Sequence, residues 1–195
     1  VWKPAVARVH EEVADMQGVA DQEAAKTGVP KITIEPWDYR YYAEKVRKAK
    51  YDLDQNELTP YLQLEKLREA VFWEANRMYG LRFAPVSGIP VVQPDVRVWV
   101  VTGADGAIVG LWYFDPYARP GKKSGAWMSA YRIQERFDGD IKTIVSNNTN
   151  FVKGKAGEPI LVSWDDARVL FHEFGHALHR LLSSVNYPSL SGSSV

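Results

Sequence analysis

His172 and His176 stand four residues apart, with Glu173 beside the first, in the run VLFHEFGHALHRLLSS. On a helix, positions i and i+4 lie nearly above one another, so both imidazoles can offer a nitrogen to one ion. Glu173 falls about 100° further round at 3.6 residues per turn. It can reach a water on that ion without binding the ion. This is the H-E-x-x-H arrangement of metal-dependent peptide hydrolysis. Zinc suits two imidazoles and a carboxylate with one open position. It would acidify the water and polarise a scissile carbonyl. Glu173 would take the water's proton as general base and pass it to the leaving amine. His179 is i+7 from His172, about 10.5 Å along the axis at ~1.5 Å per residue. A straight helix cannot bring both to one ion, so His179 is read as a packing or supporting residue.

These side chains need a helix, and the surrounding residues supply one. Ser163 and Asp166 form a near capping box that would start it. Ala167, Leu170, Phe171, Phe174, Leu178, Leu181 and Leu182 make a broad apolar face. Val169, His172, His176, His179 and Ser183 lie opposite, toward a surface or cleft. Gly175 costs the helix about 1 kcal/mol, which implies a close neighbour at that point. The bland alternative is a surface helix that carries His, Glu and His by accident. Against it, three of the four histidines in the chain fall in this one helix.

Upstream, the pattern is mostly helical. Val6, Val9, Val13, Met16 and Ala20 fall at helical spacing between Pro4 and about Lys26. Gly28 and Pro30 end that helix, and KITIEPWDYR begins extended. A second helix opens at Glu35-Pro36, with Trp37, Tyr41, Ala43 and Val46 as its inward residues. A third runs from about Leu58 to Tyr79 through Tyr61, Leu64, Leu67, Val71 and Phe72, with Gly80 as its C-terminal cap. Two β-rich runs then flank Ala104-Asp105-Gly106, a hairpin signal. GAWMSAYRIQ and IKTIVSNNTNF read as further short strands, and VKGKAGEP as a surface turn. RPGKKSG matches no phosphate-loop spacing and reads as a flexible solvated loop. DLDQNE has acidic spacing faintly like a calcium loop but lacks its glycine and closing glutamate. The class is α+β, mostly α-helical, with a small antiparallel sheet before the motif helix.

Composition narrows the partners. Twenty-four basic residues balance twenty-four acidic ones, so no net pull toward nucleic acid or an acidic membrane follows. No apolar run approaches the roughly 20 residues that span a bilayer. Cysteine is absent, which rules out thiolate metal sites and disulfides within the chain and suits a reducing compartment. The start VWKPAVARVHEE, without Met and already helical, reads as a cut inside a larger protein.

The stretches PWDYRYYAEKVRKAKYDLD, DVRVWVV, SGAWMSAYR, SWDDARVLFHEFGHALH and YPSLSG together resemble the thimet oligopeptidase family of zinc metallopeptidases, most of all its peptidyl-dipeptidase branch. The resemblance implies a zincin-like catalytic region within two largely helical halves around a deep channel. It implies His172 and His176 as zinc ligands and Glu173 as catalytic base. Residues 1–195 would be a partial catalytic domain: a helical part at 1–82, sheet and loops at 83–162, the zinc-motif helix at 163–184 and a truncated loop at 185–195. An edge strand within IKTIVSNNTNF would pair with substrate backbone. The substrates implied are short peptides, cut by release of C-terminal dipeptides or, alternatively, internally. A non-catalytic helical interaction domain is the rival from another class. Family habit implies a cytoplasmic protein. The family's third zinc ligand is a glutamate on a following helix. The sequence stops at Val195 before any such residue, so this piece alone is expected to bind zinc weakly and be inactive.

Overall fold

The computed structural model describes residues 2–51, 57–155 and 157–192. They form two compact units, Val1–Gln55 and Asn56–Val195.

The first unit is a helix pair, α1 (Trp2–Thr27) and α2 (Tyr39–Tyr51). Its small core is Met16, Ala20 and Tyr42, flanked by Val19, Ile34, Ala43 and Val46. Val6, Val9 and Val13 keep the helical spacing but stay exposed. The inward face of α2 differs from expectation. Trp37 and Tyr41 are exposed, whereas Tyr42 is buried. The reason is the helix start: residues 36–38 form a turn, closed by Asp38 Oδ2 accepting from the Glu35 amide, and α2 begins only at Tyr39. Ion pairs join the helices, Glu23 to Lys45 and Asp15 to Lys50. DLDQNE lies outside the described residues except for Glu57.

The second unit sets two helices against a sheet. α3 spans Leu64–Tyr79, later than expected. The residues before it are drawn into pairing instead. The Leu64 amide donates to the Ile160 carbonyl, and the Val162 amide to that of Leu62. Pro60 helps confine the preceding turn to a short 3₁₀ segment, Thr59–Tyr61. Gly80 caps α3 in the left-handed conformation, φ 70°, as expected.

The strands are β1 (Arg82–Val86), β2 (Arg97–Thr102), β3 (Ile108–Tyr117), β4 (Trp127–Arg132) and β5 (Thr143–Phe151). Their spatial order is β1-β2-β3-β5-β4. The β2–β3 hairpin is the expected one. The sheet is not purely antiparallel, because β3 and β5 pair in parallel. β4 pairs antiparallel on the far side of β5. β5 is therefore an interior strand, and the expectation of a substrate-pairing edge within IKTIVSNNTNF is overturned. Both of its backbone edges are already occupied.

The core lies where one sheet face meets α3 and α4 (Trp164–Leu181). Strand alternation sends Trp112, Phe114, Val145 and Asn147 to that face, and all four are fully buried. Phe72 of α3 stacks on Phe83 at 4.2 Å between ring centroids, and Phe174 of α4 meets Trp112 edge-on at 5.5 Å. Gly110 permits the close approach: a Cβ there would lie 2.5 Å from the Thr143 carbonyl oxygen and 3.0 Å from Leu181.

The loop RPGKKSG is not a free solvated loop. The Lys122 side chain is 3% exposed. Its ammonium donates to the carbonyls of Asp115, Tyr117 and Thr149, at the C-terminal ends of the parallel pair, and sits 3.0 Å from the Asp115 carboxylate. Arg119 binds that carboxylate through both of its oxygens. Burial pushes the Asp115 carboxyl up, but hydrogen bonds from Arg119 and Lys122 outweigh it and hold the group below its usual range. Burial pushes the Lys122 ammonium down, against the pull of Asp115.

Candidate metal centre

α4 begins with the expected capping box. Ser163 Oγ accepts from the Asp166 amide at 3.0 Å, and the Asp166 carboxylate accepts from the Ser163 amide at 3.1 Å. The helix buries Ala167, Leu170, Phe174, Ala177 and Leu181. Phe171 and Leu182, expected on that face, are about two-fifths exposed, so the buried stripe is narrower than the sequence implied. His172, His176 and His179 are exposed on the other side, and Glu173 is half-buried between the two faces.

The two imidazoles of the motif converge. Their Nε2 atoms are 3.2 Å apart, and the ring planes stand at 89°. Two nitrogens at ~2.05 Å from a tetrahedral zinc would be separated by about 3.3 Å. His172 and His176 therefore fit two neighbouring corners of one zinc site. His179 lies further along the helix, beside Leu182 and Ser183, where its carbonyl accepts from Ser183 Oγ. Among the described residues, no third His, Cys, Asp or Glu joins the pair.

Gly175 departs from expectation. A Cβ built there would meet nothing within 4 Å. The glycine is exposed on the helix, with no close neighbour among the described residues.

The sequence reading also missed a contact. Asn147 of β5 donates through Nδ2 to the Glu173 carbonyl at 2.5 Å and accepts from Trp112 Nε1 at 2.7 Å. The available signal was the composition of SNNTN: a strand segment without apolar residues in a core sheet must find polar partners inside.

Residues 1–195 match the family described as Peptidase family M3 over their whole length. The chain belongs to peptidase family M3. This bears out the resemblance to a metallopeptidase family read from the sequence. The M3 chain is 41% identical over 186 residues to the dipeptidyl carboxypeptidase of Escherichia coli (strain K12), covering 95% of this chain and 26% of that protein. It is 42% identical over 190 residues to the Salmonella typhimurium protein of the same name, covering 97% and 27%. Against oligopeptidase A of Escherichia coli (strain K12) it is 34% identical over 183 residues, covering 93% and 26%. The chain thus spans about a quarter of the length of these relatives. No helix among its described residues is long and apolar enough to cross a membrane.

Proposed function

We propose that this chain carries part of the active site of a zinc peptidase that acts on short peptides and releases C-terminal dipeptides. The observation that carries the reading is the 3.2 Å approach of His172 Nε2 to His176 Nε2, with Glu173 on the next position of the same helix. His172 and His176 would hold the ion, and a ligand from outside the described residues would complete the three protein ligands of a catalytic zinc. When bound, zinc supplies Lewis-acid polarisation of the scissile carbonyl and activation of water. Glu173 accepts the proton of the attacking water and delivers it to the leaving amine. Glu173 is half-buried, at the border between the packed and open faces of α4.

The sheet supplies a second part of the proposal. β4 is an outer strand of the sheet, and α4 packs beside it. No strand among the described residues pairs with its outer backbone edge, which would take an extended peptide by strand addition. Release of dipeptides rather than internal cleavage is favoured by the higher identity to the two dipeptidyl carboxypeptidases than to oligopeptidase A.

The test is Glu173→Gln in the full-length protein. Zinc content is expected to stay near that of the wild type while kcat falls by about 10³-fold or more, from loss of a proton-transfer group. Persisting turnover would remove Glu173 from the role. A peptide with an amidated C-terminus separates the two cleavage modes. A dipeptide-releasing enzyme should lose most of its activity on it, and undiminished internal cleavage would favour the oligopeptidase mode.

A further inference from the structure

Asn147 sits in the middle of β5 and is fully buried. Its amide joins three elements. Oδ1 accepts from Trp112 Nε1 of β3 at 2.7 Å, and Nδ2 donates to the Glu173 carbonyl of α4 at 2.5 Å. Trp112 is itself fully buried. Burying an amide is costly unless it is hydrogen-bonded. An aliphatic side chain of similar size would fill the same space without that cost. What the amide adds is direction.

The apolar contacts of α4 are made by Leu170, Phe174, Ala177 and Leu181. Hydrophobic contact is non-directional, so these contacts alone resist separation better than a small roll or slide of the helix. A hydrogen bond to one carbonyl resists both. Within the helix that carbonyl serves the amide four residues on. A carbonyl oxygen has two lone pairs, so Asn147 can use the second. The bond lands on the residue that separates His172 from the rest of the motif. The Glu173 carbonyl carbon and Cβ share one Cα, so holding the carbonyl also holds the root of the carboxylate side chain.

We infer that Asn147 is a positioning residue for Glu173, with Trp112 fixing the orientation of the Asn147 amide. The inference rests on the reading of Glu173 as the general base. Asn147 touches neither the metal-binding nitrogens nor the carboxylate. It acts through the backbone of Glu173, setting the height and rotation of the motif helix on the sheet.

The test is Asn147→Ser in the full-length protein at matched zinc content, measured in the wild-type background and in Glu173→Asp. In the wild-type background kcat is expected to fall by about 10–100-fold with KM within about twofold, the size of effect seen when supporting contacts or sub-ångström alignment are lost. In the Glu173→Asp background, where the carboxylate is already withdrawn by one methylene, the same substitution should cost less than about threefold. An unchanged kcat overturns the inference. So does an equal factor in both backgrounds, which is what a general loosening of the fold would give. Failure of the base assignment shows separately, as an active Glu173→Gln. Should Asn147→Ser not fold, Trp112→Phe removes the anchoring donor while keeping an aromatic ring in the core, at the cost of some packing volume. It should lower kcat several-fold at unchanged zinc content, and an unaffected kcat there also overturns the inference. A readout independent of turnover is hydrogen exchange of the Asn147 side-chain amide. It should be as slow as the α4 backbone, and rapid exchange would contradict the bond.

Discussion

In Asn56–Val195, rings from β1, β2, β3, α3 and α4 meet in one cluster: Phe83, Trp99, Trp112, Phe72 and Phe174 lie within 4.2–6.4 Å of their neighbours. In the same unit, polar groups are buried with partners, Asn147 with Trp112 and Glu173, and Lys122 with Asp115. In Val1–Gln55, two helices close over Met16, Ala20 and Tyr42, and much of the remaining contact is ionic and partly exposed. The contrast teaches where directional order is concentrated. A motif that must hold two nitrogens 3.2 Å apart stands on the unit whose interior combines large apolar area with satisfied polar bonds. In the helix pair the directional bonds lie nearer the surface: Gln17 on α1 donates to the Ile32 carbonyl and accepts from the Ile34 amide, and Lys45 meets Glu23.

The largest expected effect tests the polar half of that contrast. Asp115→Asn removes the carboxylate that faces Arg119 and Lys122, and leaves the 3% exposed Lys122 side chain without its anion. Breaking a buried pair in this way costs about 3–5 kcal/mol. Amide hydrogen exchange in β3 and β5 should accelerate accordingly, with α1 and α2 unchanged. The pH response follows from the direction of the Asp115 shift. Its folded carboxyl titrates below the ordinary range, so its contribution is fully present above the unfolded value of about 3.9. The contribution is lost as pH falls through the lower folded value. Wild-type β3 and β5 should lose protection across that acid window. Asp115→Asn should lack that component, and an identical acid limb in both proteins would assign it to another group.

The same contrast explains what could be read from the residues alone. The motif helix was legible because its signals are local: a capping box, an apolar stripe and the His-Glu-His spacing. The β2–β3 hairpin was legible for the same reason, through Asp105-Gly106 between alternating runs. β1 was not identified, since RFAPV is short and interrupted by Pro85. The parallel pairing of β3 with β5 was not visible either. It is set by a strand that inserts between β3 and β4 rather than by any turn chemistry. Lys122 looked like a solvated loop cation because a lysine's burial depends on three carbonyls and a carboxylate gathered from two strands. In α2 the inward residue was misread by one position, Tyr41 for Tyr42, because the turn at 36–38 delays the helix. Asn147 read only as a polar residue in a strand. Its partner on α4 is 26 residues away in sequence.

A smaller effect tests the helix pair. Met16 is 2% exposed and is the largest aliphatic side chain in that core. Met16→Ala should cost about 2 kcal/mol, the low end for such a truncation, because a two-helix contact can partly collapse into the space. Exchange in α1 and α2 should speed up while β3 and β5 stay protected. A loss shared equally by the sheet would break the contrast, since it would mean that the two units open together.

The smallest effect separates ionic from apolar support. Arg8 pairs with Glu11 and Glu12, Lys45 with Glu23 and Lys50 with Asp15, all on the helix pair and all partly exposed. Raising the salt from about 0.1 M to about 1 M shortens the screening length from about 10 Å to about 3 Å. Exposed pairs should weaken, and the Asp115–Lys122 contact should respond less because it is buried. The expected change is an acceleration of about twofold or less in α1 and α2 exchange, with none in β3 and β5. An equal response in the sheet would show that exposed pairs such as Arg97–Glu65 and Lys153–Asp95 support it as much as the buried contact does. The buried polar bonds of the sheet unit would then not set it apart from the helix pair in its response to salt.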